Sequence, residues 1–150
     1  MSTHEDVARL VTEAAAAIKS DVKGAVIKLG SAFQLARESG DTDLTAMVAE
    51  ELARGWARRK STARSLHYAR KATRLCPERK AAWTTLAKTC ELLATRTRGA
   101  EKARRAQALY RAAATAFKKA AALAKDPEDK HWLMELAGDA ARQARPPKGA

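Results

Sequence analysis

Apolar residues recur along this chain at intervals of three and four, and almost nowhere in strict alternation. That period predicts amphipathic helices rather than strands. Val7, Leu10, Val11, Ala14 and Ile18 line one face of a first helix, started by the capping-box pair Ser2 and Glu5 and ending near Lys19. Ser20-Asp21 restarts the chain as a second helix from about Val22 to Glu38, with Val26, Leu29, Phe33 and Ala36 inward and Gly40 as its stop. A third follows Asp41-Thr42-Asp43 and runs to about Arg59 through Leu44, Val48, Leu52 and Trp56. Ser61 or Thr62 caps a fourth that ends near Leu75-Cys76, and Pro77 suits the first turn of a fifth, from about Glu78 to Ala94. Thr95 to Ala100 reads as a loop. A sixth helix, about Glu101 to Ala124, turns Ala103, Ala106, Tyr110, Ala113, Phe117 and Ala120 inward. Asp126-Pro127-Glu128-Asp129 opens a seventh, to about Gln143: a capping acid, Pro at the first position, and acids at the positive helix end.

Composition supports an all-α chain. Thirty-six of the 150 residues are alanine, aromatics make up 5%, and Val and Ile are scarce. Alanine loses no side-chain entropy in a helix, and small residues let helices approach closely. The length suits one domain with its own core, over residues 1–144, followed by a flexible tail at 145–150. Cys76 and Cys90 lack companions at metal-ligand spacing and read as reduced thiols on packed faces. The N-terminal residues lack a signal-peptide pattern and no 18-residue apolar run occurs, which predicts a cytoplasmic protein with no membrane span.

Seven helices with short connections predict stacked antiparallel hairpins, and an internal period follows. With Ala46 counted as position 1 of a 34-residue unit, Leu52, Ala53 and Trp56 stand at positions 7, 8 and 11, Ser65 and Ala72 at 20 and 27, and Pro77 at 32. Trp83, Leu86 and Ala87 then meet positions 4, 7 and 8 of a following unit. This pattern resembles the tetratricopeptide repeat over about 46–87. Ala49, Ala69 and Cys90 depart from it, and after Cys90 the register is lost until Pro127, Leu133, Leu136 and Ala137 partly restore it. The resemblance implies a right-handed solenoid with a C-terminal capping helix, acting as a binding scaffold whose concave groove is lined by the first helix of each hairpin. The groove positions would be Met47, Glu50, Arg54, Ala57 and Arg58, then Ala81, Thr84, Lys88, Glu91 and Leu92, with Arg54, Arg58, Thr84 and Lys88 the candidates for contact. The carboxylate clamp of some members needs an Asn, and this chain has none.

Charge changes the picture most. Residues 1–53 carry five Lys/Arg and nine Asp/Glu; residues 54–119 carry nineteen Lys/Arg and three acids, Glu78, Glu91 and Glu101. Such segregation points to a polyanion or an acidic protein surface as partner. Arg70, Lys71 and Arg74 would lie on the outer side of the fourth helix. Arg104, Arg111, Lys118 and Lys125 recur every seven residues along the sixth, drifting about 20° per step, with Arg105 and Lys119 beside them. Arg96 and Arg98 extend this surface in the loop, and Arg58, Arg59, Lys60 and Arg64 in the third connection.

Catalytic chemistry is not evident: no phosphate-binding glycine loop, HExxH or nucleophile elbow occurs. His131 stands four residues before Glu135 and predicts a surface pair rather than a metal site. The sequence therefore predicts a non-catalytic adaptor without cofactor or metal, binding an acidic protein or peptide through its basic surface. The alternative is phosphate-driven binding of nucleic acid, RNA or a ribonucleoprotein, with little sequence preference because the few aromatics read as buried.

Overall fold

A computed structural model of the protein describes residues 2–97 and 99–146. Among these residues there are seven α-helices and no strands. The chain divides into two compact units, Met1–Pro77 and Glu78–Ala150.

The first unit holds α1 (Thr3–Ala17), α2 (Val22–Ser39), α3 (Thr42–Arg58) and α4 (Thr62–Leu75). Each helix packs on the next, and α1 also touches α3. Their starts follow local chemistry. Ser2, Asp21 and Asp41 each accept a hydrogen bond from the backbone N–H three residues on, satisfying donors that a helix leaves free. Gly40 ends α2 in the left-handed conformation, with φ of 78°. The first helix stops at Ala17, earlier than its apolar pattern implies, because Ser20 and Asp21 fold back to donate to the Ala17 carbonyl.

The α3–α4 connection is a Schellman turn. Lys60 N–H donates to the Ala57 carbonyl at 3.0 Å and Ser61 N–H to the Trp56 carbonyl at 2.9 Å. Lys60 occupies the left-handed position, φ of 63°, where glycine is usual.

The core of this unit is built from closely fitted small residues with larger ones between them. At Gly55 of α3 an added Cβ would stand 3.1 Å from the Val26 Cγ2 of α2, so the two helices meet closely there and Val26 would have to give by a few tenths of an ångström to admit a side chain. Ser65 of α4, fully buried, donates its hydroxyl to the Ala53 carbonyl of α3 at 2.8 Å. Ala53, Ala69 and Ala72 are fully buried, while Leu52, Val48, Leu29 and Phe33 supply volume. Burying a leucine- or phenylalanine-sized side chain is worth about 1.5–3 kcal/mol, and an alanine far less.

The second unit holds α5 (Lys80–Arg96), a 3₁₀ turn (Ala100–Lys102), α6 (Ala103–Leu123) and α7 (Pro127–Gln143). Here α6 is central, packing on both α5 and α7. Phe117 is wholly buried, among Leu93, Leu109 and Leu133 and the alanines at 113, 116, 120, 137 and 140 in the core. Asp126 caps α7 through Glu128 N–H, with Pro127 at its first turn. An ion pair between Lys80 and Asp129 joins the first residue of α5 to the first turn of α7.

Several boundaries differ from the sequence expectation. Pro77 and Glu78 form a turn, and extended Arg79 precedes α5, so that helix starts at Lys80 rather than Glu78. Its far end runs through Thr95 to Arg96, two residues into the expected loop, because Thr97 closes it with both its N–H and its hydroxyl on the Leu93 carbonyl. The sixth helix begins at Ala103, which is exposed, and its inward face is wider than the apolar pattern implied: Leu109, Ala114, Ala116 and Ala121 are buried, while Ala106 and Tyr110 are half-buried. The tail expected at 145–150 lies outside the described residues from 147 onward.

Candidate interaction surfaces

On α6 the buried face and the basic face are separate. Arg104, Arg105, Arg111 and Lys118 are exposed, as is Lys125 beyond the helix end. The helix contains no acid. None of these five cations forms an ion pair with another described residue. With a rise of 1.5 Å per residue, Arg104, Arg111 and Lys118 stand about 10 Å apart along a stripe that fixed backbone geometry holds in line. Lys119 differs: its ammonium lies 4.6 Å from the centre of the Trp83 ring on α5, a cation–π contact that ties it to the fold.

In the first unit the outward face of α4 carries Arg70 and Arg74, both exposed. Lys71, between them, is half-buried and reaches the Phe33 ring of α2, at 5.5 Å from its centre; Tyr68 meets the same ring edge-on at 5.5 Å. From Leu52 to Pro77 there are eight Lys/Arg and no acid, so any opposite charge for them comes from outside the stretch.

The expected groove residues fall in different settings. Arg54 and Arg58, exposed and one turn apart on α3, rim a cleft of about 220 Å³ floored by Val11, Ile18, Leu29 and Gly55. Arg54 also pairs with Glu51 at 2.8 Å. Glu50 and Ala57, expected to line the groove, are instead buried, at 3% and 6% exposure, so these two positions belong to the interior. In the second unit Lys88 is exposed, and Thr84 is half-buried with its hydroxyl donating to the Lys80 carbonyl at 3.0 Å. Glu91, half-buried on the same helix, has its carboxyl pushed above the usual glutamate value by burial, with Lys88 drawing it partly back. Arg96 is exposed at the end of α5. Arg98 lies outside the described residues.

One grouping was not legible in the chain. At the α3–α4 corner the Arg64 guanidinium carbon lies 4.5 Å from the centre of the Trp56 ring and that of Arg59 lies 5.6 Å from it. The Trp56 Nε1 is buried and has no hydrogen-bond partner among the described residues, so packing and the two guanidiniums hold the ring. The available signal was Trp56 with Arg59 three positions on, a spacing that brings side chains together on a helix.

His131 and Glu135 meet at 3.1 Å on the exposed face of α7, as their spacing predicts. No helix among the described residues is long and apolar enough to cross a membrane. Compared with protein-family models and with curated proteins, the chain matches none.

Proposed function

We propose that this protein is a non-catalytic adaptor that takes an acidic protein or peptide through its basic helical surface. The observation that carries the reading is the α6 stripe: exposed cations in line on an acid-free helix, without ion pairs among the described residues. A solvated helix face usually gains from paired opposite charges at i,i+4. A row lacking them keeps its positive potential for an external partner and speeds encounter with an acidic one. The small buried residues between α3 and α4 support reading that hairpin as a tetratricopeptide-like repeat, and α7 as the capping helix of its unit. A cytoplasmic location goes with this reading.

Nuclease treatment separates the adaptor from a nucleic-acid binder. Tagged protein is used to capture partners from the source lysate with and without nuclease. The adaptor reading expects acidic protein partners to survive nuclease and to be lost from the variant Arg104→Glu/Arg111→Glu/Lys118→Glu. Loss of every partner after nuclease, with affinity for generic RNA falling steeply between about 50 and 200 mM salt, overturns it in favour of phosphate-driven nucleic-acid binding.

A further inference from the structure

We propose that Arg59 and Arg64, laid against the Trp56 ring, form a clamp for a phosphate monoester, namely a phosphorylated side chain of a partner protein. The inference rests on the adaptor reading for its class of partner, but on a different surface.

Three observations carry it. First, both guanidiniums share one aromatic ring, at 4.5 and 5.6 Å from its centre. A guanidinium held on a ring keeps its N–H edges in plane and available, while losing much of the rotamer freedom that binding would otherwise remove. Second, the backbone between them is fixed. Arg59 closes α3, Arg64 stands in the first turn of α4, and the two Schellman hydrogen bonds from Lys60 and Ser61 set the angle between the helices. Third, neither arginine forms an ion pair with another described residue, and exposed Arg58 and Lys60 add charge at the same corner.

Ligand chemistry follows from this geometry. Two forked donors call for more than the two oxygens of a carboxylate, which one arginine satisfies alone. A phosphate monoester brings three acceptor oxygens and about −1.5 to −2 charges on one group. Nucleic acid fits less well. Its phosphodiesters carry one charge each and are strung along a chain, and the ring that would stack on a base is already occupied by the arginines.

The test uses the full chain and three fluorescent probes at fixed ionic strength: an acidic Ser/Asp/Gly peptide with one phosphoserine, the same peptide unphosphorylated, and single-stranded oligothymidylate. Anisotropy is expected to show the phosphopeptide bound about tenfold more tightly than its unphosphorylated form. The lysine variant Arg59→Lys/Arg64→Lys, which keeps the charge and loses the forks, should remove most of that ratio, whereas the same exchange at Arg142 and Arg145, exposed at the end of α7, should leave it intact. Arginine Nε–Hε resonances of the unmodified protein provide a readout that needs no variant: the phosphopeptide should shift two of them, and these should be missing from the spectrum of the lysine variant. Equal binding of the two peptides, or a ratio unaltered in the lysine variant, overturns the clamp. Tighter binding of oligothymidylate through the same two arginines overturns it in favour of nucleic acid. If the clamp fails while the α6 variant still loses acidic partners, the adaptor reading stands; if the α6 variant loses none, that reading falls whatever the clamp does.

Discussion

The α3–α4 corner and the α6 stripe are both basic, yet their cations are placed by opposite means. At the corner Arg59 and Arg64 lie on Trp56, and a left-handed Lys60 holds the turn between their helices. On α6, Arg104, Arg111 and Lys118 extend into solvent, and only the helix backbone keeps them in line. The corner cations therefore belong partly to the fold, through stacking and desolvation of the ring. Those of the stripe do not, and can be exchanged without disturbing what lies beneath. Positive charge in this protein is thus of two kinds, one structural as well as available, the other available alone.

The largest effect expected is on what lies beneath the stripe. Phe117 sits on the buried face of α6 and is wholly enclosed. Phe117→Ala should destabilise the second unit by about 3–5 kcal/mol, through lost transfer energy and the cavity left behind. Hydrogen exchange over Ala103–Leu123 and Pro127–Gln143 should report the loss of protection. A cost below about 1 kcal/mol would mean that the stripe is not anchored by this face.

Next in size is the direct contrast between the two kinds of cation. Arg64→Ala should cost about 1 kcal/mol, from the cation–π contact and the uncovered indole, while Arg111→Ala should stay within about 0.5 kcal/mol of the parent. Equal costs in urea titrations would erase the distinction. Smaller still, and opposite in sign, Lys60→Gly should stabilise the first unit by a few tenths to about 1 kcal/mol, because glycine adopts the left-handed position without the clash between Cβ and backbone, partly offset by a freer unfolded chain. Thermal melts would show it.

The smallest effect is carried by acids, and pH reads it. Burial raises the Glu91 carboxyl above the ordinary value of 4.5. Its charged form therefore weakens the second unit above that raised value, and the handicap is relieved as pH falls toward the unfolded value. Glu91→Gln should raise stability near pH 7 and lose its advantage in acid, by about pH 4. In the first unit the sign reverses. Glu13 is held low chiefly by its hydrogen bond from Lys28, and Asp41 by the Leu44 N–H and then by His4. Their stabilisation is complete above 4.5 and 3.8 and is lost as pH falls through the lowered values. Calorimetry across this range, with Glu91→Gln beside the parent, checks both directions.

Much of the fold is legible in the chain because helix ends are local. Asp21, Asp41, Gly40 and Asp126-Pro127 act through neighbours within three residues, and each does what its type favours. The start of α5 was misread because Pro77 fits a first turn and an ordinary turn equally well, and the extended Arg79 that decides between them has no sequence mark. Glu50 shows the limit of reading faces from a repeat. Its repeat position faces the groove and its charge agrees, but tertiary packing encloses it. The exposed cations of α6 and α4 were found because helical period alone decides which side they occupy. The Trp56 corner was not, since Arg64 reaches the ring only across a turn whose left-handed residue is a lysine where a glycine would have announced it.

The two cysteines give the molecule a pair of internal clocks. Cys76 and Cys90 are each 1% exposed, one in each unit, and Cys76 donates its thiol to the Asp43 carboxylate at 3.2 Å. A disulfide reagent in solution can reach either sulfur only during the moments when the surrounding helices part. The rate at which each thiol is labelled, followed by mass spectrometry of its own peptide, therefore times the opening of its own unit. No cysteine needs to be introduced.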